Sequence, residues 1–279
     1  MTVLLIGIGH AGEFDLLAEE IEKKGHDAVL INVQNWPGGS PLSLEPGKET
    51  AIFGEEIDLE TVRGAYIVPH HLLHPFENRI RDRLLDDFDA GLNQIREYRA
   101  MFEGLCGILD SRSRNVIVPL QNHYLQDRKP YQLEVLAQLD VPTPETVFTT
   151  DPSTVKEFVE DHTRVIYKPV TRGGKPYELT EEDLTQERLE HLETAPVQFQ
   201  AFAPGDDVRV FVVDGTVVGA VKYTSDSFSF KLAESENVQK ESITVPTHIK
   251  KIVKEATNEI GLTLPVSIFD SNRTVNSRC

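Results

Sequence analysis

A lysine followed by a pair of glycines is the pattern in this sequence that most directly suggests phosphate chemistry. Lys168 ends a predicted strand, RVIYKP, and the pair Gly173-Gly174 follows it between Arg172 and Lys175. In such a turn the backbone N–H groups can fold over phosphate oxygens while a lysine ammonium neutralises their charge. A solvated basic turn is the alternative, and the segment alone does not decide between the two.

A complete GxGxxG pattern occupies residues 7–12, directly after a short apolar strand. Its glycines would let the backbone approach a dinucleotide pyrophosphate at the N-terminus of the following helix. That interpretation also requires an acidic residue about 20 positions later to hold the ribose hydroxyls. The sequence has Asn32, Val33 and Gln34 there. A tight strand-to-helix turn is therefore favoured over the turn of a nicotinamide-dependent oxidoreductase.

Histidines and cysteines give no firm metal or disulfide signal. His70 and His74, in the pattern HHxxH, have the i, i+4 spacing of a helical zinc pair. Pro69 and Pro75 bracket them, so a loop with incidental histidines is favoured. Of the two cysteines, Cys106 lies in an apolar stretch, which predicts a buried free thiol.

The composition predicts a folded and strongly acidic protein. Of its 279 residues 39% are hydrophobic, and 45 acidic residues against 28 basic ones give a formal net charge of −17. Such a surface repels nucleic-acid phosphates and anionic membranes, so neither is expected as a partner. High ionic strength would screen the self-repulsion, which suggests a salt-loving organism. We expect a cytoplasmic protein, since there is no signal peptide and no run of roughly 20 apolar residues.

The elements that must position these residues change in type along the chain. The first third alternates strands and helices, with a Pro/Gly-rich connection after the second strand, which predicts a parallel, doubly wound sheet. Apolar residues at three- to four-residue steps over 75–109 predict one long helix or two consecutive ones. The last third has three strands, a tight turn at Asp214-Gly215 and a helix over 246–260, so antiparallel sheet is expected there.

The middle of the chain carries signals of helix starts. One helix is predicted over 131–139. Asp151-Pro152 is typical of an N-cap with proline in the first turn, which predicts a helix through Val159. Thr180 with Asp183 marks a further helix start.

In their order along the chain, these segments resemble the ATP-grasp superfamily. Asp127-Arg128-Lys129 opens a helix, VPTPET follows it, and the lysine-proline pair with its glycine turn comes next. The sharpest segment is PGDDVRVFVVDGTVVGAV, which begins at Pro204. The resemblance covers residues 1 to about 262. It is closest to RimK-like amino-acid and peptide ligases, with glutathione synthetase as a further relative.

The resemblance implies an α/β protein with three lobes. Residues 1–115 would form a Rossmann-like pre-ATP-grasp lobe. Residues 116–195 would be the central lobe, and residues 196–279 the C-terminal lobe, of a two-lobed α+β ATP-grasp fold with antiparallel sheets.

The resemblance also implies roles around the nucleotide. Lys129 and Lys168 would contact the ATP phosphates, and Lys168 could also reach the adenine edge. Gly173 and Gly174 would cover the triphosphate. The segment Gln200, Ala201, Phe202 and Ala203 would be the hinge that offers backbone groups to adenine, with Phe202 as apolar surface.

Four charged residues would complete the implied site. Asp207, and less so Asp206, would hold the ribose hydroxyls. Arg209 and Lys222 would stabilise charge on the acyl phosphate and on the transferring phosphoryl group. A surface ion pair with Asp206 or Asp207 is the alternative for Arg209.

One part of the family pattern is not found. ATP-grasp enzymes place Mg²⁺-binding carboxylates late in the chain, in a segment that ends E-x-N. Here no E-x-N follows Gly261, and Asp270 does not fall in the expected register. The expectation is a chain truncated or altered after about Leu264, or a degenerate member, and no metal ligand is assigned.

The resemblance therefore implies an ATP-dependent carboxylate–amine ligase that uses ATP and Mg²⁺ and acts through an acyl phosphate. Its substrates would be a small-molecule or peptide carboxylate and an amine. A chain that binds nucleotide without completing catalysis stays open, as does a homo-oligomer. The alternatives are a non-catalytic nucleotide-binding or interaction protein and, less so, a NAD(P)-dependent oxidoreductase.

Overall fold

The computed structural model describes residues 1–7, 12–35, 39–68, 78–112, 115–171, 174–213, 215–227, 232, 234, 237–261 and 266–270. The chain divides into two compact units, Met1–His123 and Tyr124–Cys279. The predicted histidine loop at residues 70–74 and Gly173 lie outside the described residues. No helix in the described part of the chain combines the length and apolarity needed to cross a membrane.

A four-stranded parallel sheet runs through the first unit. Its strands are β1 (Thr2–Gly7), β2 (Asp27–Asn32), β6 (Val62–Ile67) and β7 (Val116–Ile117), in the order β2-β1-β6-β7. In β1, Leu4, Leu5 and Ile6 are at most 1% exposed although successive side chains point to opposite faces. Both faces of the sheet are therefore covered, as is usual for parallel strands. The parallel sheet predicted for the first third is confirmed.

Three helices accompany this sheet: α1 (Gly12–Lys23), α2 (Asn78–Asp86) and α3 (Phe88–Arg112). The long apolar pattern that ends near residue 109 is thus formed by two consecutive helices. Phe102, Leu105 and Leu109 of α3 are at most 1% exposed and share an apolar cluster with β1 and β6. Cys106 is buried in the same cluster as a free thiol, as predicted.

The first glycine of the GxGxxG pattern has a packing role. A Cβ atom at Gly7 would lie 2.4 Å from the ring of Phe14 in α1. Phe14 is 1% exposed, and its ring centroid lies 5.8 Å from that of Tyr66 in β6. Close packing of α1 against β1 therefore favours glycine at this position, and residues 8–11 of the pattern lie outside the described residues.

A small antiparallel sheet follows β2 in the first unit. It consists of β3 (Leu42–Leu44), β4 (Thr50–Phe53) and β5 (Glu55–Asp58). The sequence analysis placed a Pro/Gly-rich connection over the start of this region. Strands of three or four residues are too short to show a clear two-residue alternation. Ala51, Phe53 and Ile57 are at most 3% exposed and join the apolar cluster of the parallel sheet.

Two four-stranded antiparallel sheets lie in the second unit. The first sheet has the order β10-β9-β11-β8, and the second sheet has the order β14-β13-β12-β15. The strands of the first are β8 (Thr146–Thr149), β9 (Val165–Pro169), β10 (Tyr177–Glu178) and β11 (Val197–Ala201). Those of the second are β12 (Asp207–Val213), β13 (Thr216–Thr224), β14 (Gln239–Ser242) and β15 (Val266–Asp270). The antiparallel sheet expected in the last third is confirmed.

The helices of the second unit are α4 (Lys129–Gln138), α5 (Pro152–Asp161), α6 (Gln186–Glu190) and α7 (Thr247–Ile260). The N-cap at Asp151 is confirmed, because its Oδ1 accepts a hydrogen bond from the Ser153 N–H at 3.0 Å. Hydrogen bonds from Ser153 and then Thr154 lower the pKa of Asp151 to about 2. Thr180 and Asp183 form a capping box at the start of a short 3₁₀ helix, Glu181–Leu184.

Each of the two antiparallel sheets of the second unit has one apolar face that packs on a helix. In the first sheet, Val165 and Phe199 pack in a cluster with Val155 of α5. In the second sheet, Val208 and Val210 pack with residues of α7. Since side chains alternate along a strand, the residues between these apolar positions project from the opposite faces.

Candidate functional site

Four polar side chains share the non-core face of the first sheet: Thr146, Lys168, Gln198 and Gln200. The register pairs Lys168 of β9 with Gln198 of β11, and Thr146 of β8 with Gln200 of β11. Directly opposed residues of antiparallel strands project from the same face. The structure therefore brings together Lys168 and Gln200, two of the residues expected at the nucleotide.

A chain of hydrogen bonds links three of these side chains, those of Lys168, Gln200 and Thr146. Lys168 Nζ donates to Gln200 Oε1 at 3.0 Å, and Gln200 Nε2 donates to Thr146 Oγ1 at 3.0 Å. The Thr146 hydroxyl donates in turn to the Pro144 carbonyl at 2.9 Å. Because an ammonium can only donate, Lys168 fixes the side-chain amide with its oxygen toward the lysine. The last hydrogen bond of this series, to the Pro144 carbonyl in the VPTPET segment, thus helps to orient the side chain of Gln200 through Thr146.

Lys129, the first residue of α4, reaches the turn after β9. Its Nζ donates to the carbonyl oxygens of Pro169 at 2.9 Å and of Thr171 at 2.8 Å. These two carbonyls belong to residues one and three positions after Lys168. The structure therefore brings Lys129 and Lys168 to the same short segment from two different elements.

Gly174, in the segment after β9, lies close against Pro169. A Cβ atom there would lie 2.5 Å from both Cγ and Cδ of Pro169. The proline ring has no alternative rotamer that would clear this contact. A glycine is therefore required for the described form of the turn, in addition to any role in covering a phosphate.

The expected hinge, Gln200 to Ala203, runs through the end of β11 and beyond it. The N–H of Ala201 donates to the Glu145 carbonyl at 2.9 Å, and the N–H of Phe202 donates to the Arg164 carbonyl at 2.9 Å. Both N–H groups are thus engaged by the sheet. The N–H of Ala203, which follows the strand, is the hinge donor that neither of these bonds uses.

Phe202 carries a cation on one face of its ring. The Arg164 guanidinium carbon lies 3.7 Å from the ring centroid. Arg164 also binds Glu178 through two hydrogen bonds, of 2.6 Å and 2.8 Å, which fix the plane of the guanidinium. The hydrogen bond from Arg164 lowers the pKa of Glu178. The apolar surface expected at Phe202 is therefore covered on that face by an arginine held in place.

Asp207 and Arg209 project from the non-core face of the second sheet. The register pairs Asp207 with Tyr223, and Arg209 with Val221. The Arg209 guanidinium carbon lies 5.1 Å from the centroid of the Tyr223 ring, within the range of a cation–π contact. Its Nε is buried. The ring of Tyr223 thus supports the arginine that was expected to stabilise phosphoryl charge.

Lys222 projects from the other face of the second sheet. Its cross-strand partner is Val208, a residue of the apolar cluster. Its Nζ lies 3.6 Å from Asp206 Oδ2 and 3.5 Å from Glu241 Oε2. The structure does not bring Lys222 to Arg209 as expected, because neighbouring positions on opposed strands fall on opposite faces. Lys222 is an ion-pair residue between two carboxylates.

Four further residues near the candidate site were not expected from the sequence: Gln198, Thr146, Arg164 and Tyr223. Only Gln198 had a local signal, because the strand VQFQAF has two glutamines two residues apart and hence on one face. The other three depend on the strand register, which the sequence did not provide. In the described ranges, no group of three or more His, Cys, Asp and Glu side chains could hold a metal ion. No Mg²⁺ ligand is therefore assigned.

Comparisons with known proteins agree with this geometry. The family model for the RimK-like ATP-grasp domain matches residues 126–276, which is more than half of the chain. The chain therefore belongs to the RimK-like ATP-grasp family. A search of curated proteins gave no match.

Several solved structures share the fold. The ATP-grasp ligase PsnB, complexed with a phosphomimetic variant of a minimal precursor, Mg and ADP, is 24% identical with a TM-score of 0.83, over 98% of this chain and 87% of that one. The macrocyclase MdnC from Microcystis aeruginosa MRC, bound with the precursor peptide MdnA, is 20% identical with a TM-score of 0.76, over 98% and 88%. A RiPP-associated ATP-grasp ligase from Chryseobacterium gregarium, in complex with ADP and a leader and core peptide, is 19% identical with a TM-score of 0.68, over 97% and 85%.

Proposed function

We propose that this chain is an ATP-dependent carboxylate–amine ligase. One observation carries the proposal: Lys129 is hydrogen-bonded to carbonyls of the segment that follows Lys168, and Lys168 is itself hydrogen-bonded to the first hinge residue, Gln200. Two lysines near a glycine-containing segment suit a polyphosphate, and a hinge whose Ala203 N–H takes part in none of the described sheet hydrogen bonds suits a nucleobase. Membership of the RimK-like ATP-grasp family supports ATP as that nucleotide.

In this proposal the first sheet binds ATP. Lys129 and Lys168 neutralise its phosphates, and the turn with Gly173 and Gly174 covers them. The hinge residues Gln200, Ala201, Phe202 and Ala203 line the base, where the N–H of Ala203 is a donor outside the sheet. Asp207, at the start of β12, holds the ribose hydroxyls. Mg²⁺ belongs to the proposal from the family alone, and no residue is assigned to it.

The proposed reaction has two steps. A carboxylate oxygen of one substrate attacks the γ-phosphorus of ATP, and ADP leaves, so the product is an acyl phosphate. The amine of the second substrate then attacks the acyl carbon, phosphate leaves, and one amine proton is released as the amide forms. Arg209 stabilises negative charge on the phosphoryl group, since a fixed cation in a water-poor site lowers the energy of such charge.

The proposed substrate is a peptide that supplies the carboxylate. The structures of PsnB, MdnC and the Chryseobacterium gregarium ligase each hold a precursor or core peptide. The same fold in this chain supports a peptide over a free amino acid. The proposed architecture is a Rossmann-like pre-ATP-grasp lobe over 1–115, a central lobe over 116–195 and a C-terminal lobe over 196–279.

The test is titration of the purified chain with ATP in the presence of Mg²⁺, with NADH as the comparison ligand. ATP should bind and NADH should not. Peptides with acidic and lysine side chains are then incubated with ATP and the chain. The expected product is a peptide that has lost the mass of one water for each ADP formed. Binding of NADH in place of ATP would overturn the proposal, and so would ATP binding without ADP formation for any peptide, which is the behaviour of a non-catalytic nucleotide-binding protein.

A further inference from the structure

Gln198 is a buried amide with an unused acceptor. Its side chain lies in the middle of the first sheet, and the residue is 2% exposed. Its Oε1 is buried, and no donor in the described part of the chain forms a hydrogen bond with it. Leaving a carbonyl oxygen without a donor destabilises a folded protein, so each such group calls for an explanation.

The position of Gln198 relates it to the proposed phosphate end of the site. It is the direct cross-strand partner of Lys168, which is followed by the turn after β9. Gln200, the first residue of the hinge, lies two residues further along β11. Opposed side chains on one face of a sheet have Cβ atoms about 5 Å apart, so the long lysine side chain can reach either glutamine.

The two glutamines differ in what their oxygens do. Gln200 Oε1 accepts from Lys168 Nζ at 3.0 Å, whereas Gln198 Oε1 accepts from no described donor. An adenine amino group at the hinge needs an acceptor of the kind that Gln200 provides. If the base takes that oxygen, the ammonium of Lys168 needs another acceptor on the phosphate side.

We propose that Gln198 is a positioning residue that accepts a hydrogen bond from Lys168 when a nucleotide is bound. The inference rests on the proposed function. Lys168 then has two alternative acceptors on one sheet face: Gln200 without nucleotide and Gln198 with it. Because Gln198 Oε1 is an acceptor, it cannot bind a phosphate oxygen itself, and it acts on the phosphates through the lysine.

The variant Gln198→Leu separates this role from a purely structural one. It removes the acceptor and replaces the amide with an apolar side chain of similar size. We expect ATP affinity to fall about 10-fold, as for the loss of one hydrogen bond to a charged group. Affinity for adenosine, which has no phosphates, should change less than about 2-fold. The melting temperature of the nucleotide-free chain should rise by roughly 2–4 °C, because a buried oxygen without a donor is removed.

The experiment measures ATP and adenosine binding by equilibrium dialysis and melting by circular dichroism. Gln138→Leu on the exposed surface of α4 is the matched control and should leave both affinities unchanged. Gln198→Met is the second variant if the leucine form does not fold. Unchanged ATP affinity overturns the inference, and so does an equal loss for ATP and adenosine, which indicates a direct contact with the nucleoside. Failure of the unmodified chain to bind ATP overturns the proposed function itself and this inference with it.

Discussion

In the first antiparallel sheet Lys168 is held by an amide oxygen, whereas in the second sheet Arg209 lies against the aromatic ring of Tyr223. Both cations project from the face opposite to the helix-covered apolar face. A lysine on an amide can move to another acceptor, since its three donors rotate freely on a flexible chain. An arginine above a ring keeps a fixed plane. The comparison suggests a movable cation at the proposed phosphate subsite and a fixed one at the proposed reacting end.

Lys222 shows what decides this difference. Like Lys168 it lies in a strand with apolar neighbours, yet it faces the helix-covered side of its sheet and pairs with two carboxylates. Both residues are lysines near the C-terminal end of a strand. Side chains alternate between the two faces of a sheet along each strand. The position of each lysine in this alternation therefore decides which of the two lies on the polar face.

The largest expected effect comes from removing Lys168. Lys168→Ala should weaken ATP binding by more than about 100-fold, because a charge-assisted contact to the phosphates is lost. Isothermal titration measures the affinity, and a thermal melt checks that the fold is intact. Lys222→Ala is the matched control, with an expected change below about 3-fold. A comparable loss in both variants would show that sheet face does not separate the two lysines.

Removing Arg209 should act on turnover and leave binding intact. Arg209→Met is expected to lower kcat for ADP formation about 100-fold, the usual cost of one preorganised charge-stabilising group. The Kd for ATP should stay within about 3-fold of the original. Tyr223→Phe keeps the ring beneath the guanidinium and serves as the control with near-normal turnover. A variant with normal kcat and weakened ATP binding would move Arg209 from the reacting end to the nucleotide.

Two glycines allow a comparison of the turn after β9 with the second sheet. In Gly174→Ala the new Cβ would meet the Pro169 ring at 2.5 Å, so the turn must shift. Overpacking of this kind costs about 1–3 kcal/mol, and ATP affinity should fall about 10-fold. Gly219→Ala in β13 is the control, because a Cβ there meets nothing within 4 Å. Urea denaturation and titration measure the two effects, and equal stability of both variants would count against the described turn.

The smallest effect is a pH dependence at the edge of the first sheet. His162 Nδ1 lies 2.7 Å from the Phe158 carbonyl and Nε2 lies 3.0 Å from Glu145 Oε2. The carbonyl first, and then the carboxylate, raise the pKa of His162 above its ordinary value. Protonated His162 therefore stabilises the folded state. This contribution is fully present below the pKa of about 6.5 in the unfolded chain, and it is lost as the pH rises through the higher pKa of the folded state.

The melting temperature should therefore fall between about pH 6 and pH 9 more in the original chain than in His162→Phe. The phenylalanine keeps a ring for the stacking on Phe158, whose centroid lies 4.3 Å away. Glu145→Gln keeps a partner at Nε2 without the charge and should show an intermediate slope. Parallel melting curves for all three forms would rule out this linkage.

Local signals in the sequence predicted most of the elements and part of the site. The caps at Asp151 and Thr180 follow from short-range rules, and the structure agrees with them. The apolar spacing over 75–109 predicted helix there but left open whether one helix or two would form. The candidates Lys129, Lys168 and Gln200 came from the family resemblance. In the structure Lys168 is hydrogen-bonded to Gln200, and Lys129 is hydrogen-bonded to the segment that follows Lys168. The short strands β3 to β5 were missed, because their alternation is too brief to read.

The remaining part of the site depends on pairing between distant strands. The two-residue period places Arg209 and Lys222 on definite faces only after the register of β12 against β13 is known. The same holds for Arg164 above Phe202, which requires the ends of β9 and β11 to meet. A one-residue slip in the pairing of two strands would move these side chains to the opposite face of the sheet. No local sequence pattern fixes that register.

The two hydrogen bonds of Lys129 also constrain the peptide units that they use. In a trans peptide the N–H points away from its carbonyl, so the carbonyl of Pro169 directed at Lys129 turns the N–H of Val170 to the opposite side. A positive charge at the oxygen also draws electron density through the amide and makes that N–H a stronger donor. From the carbonyl side of the peptide, the Lys129 ammonium can thus strengthen the attraction of the Val170 N–H for an anion on the other side, without contacting that anion.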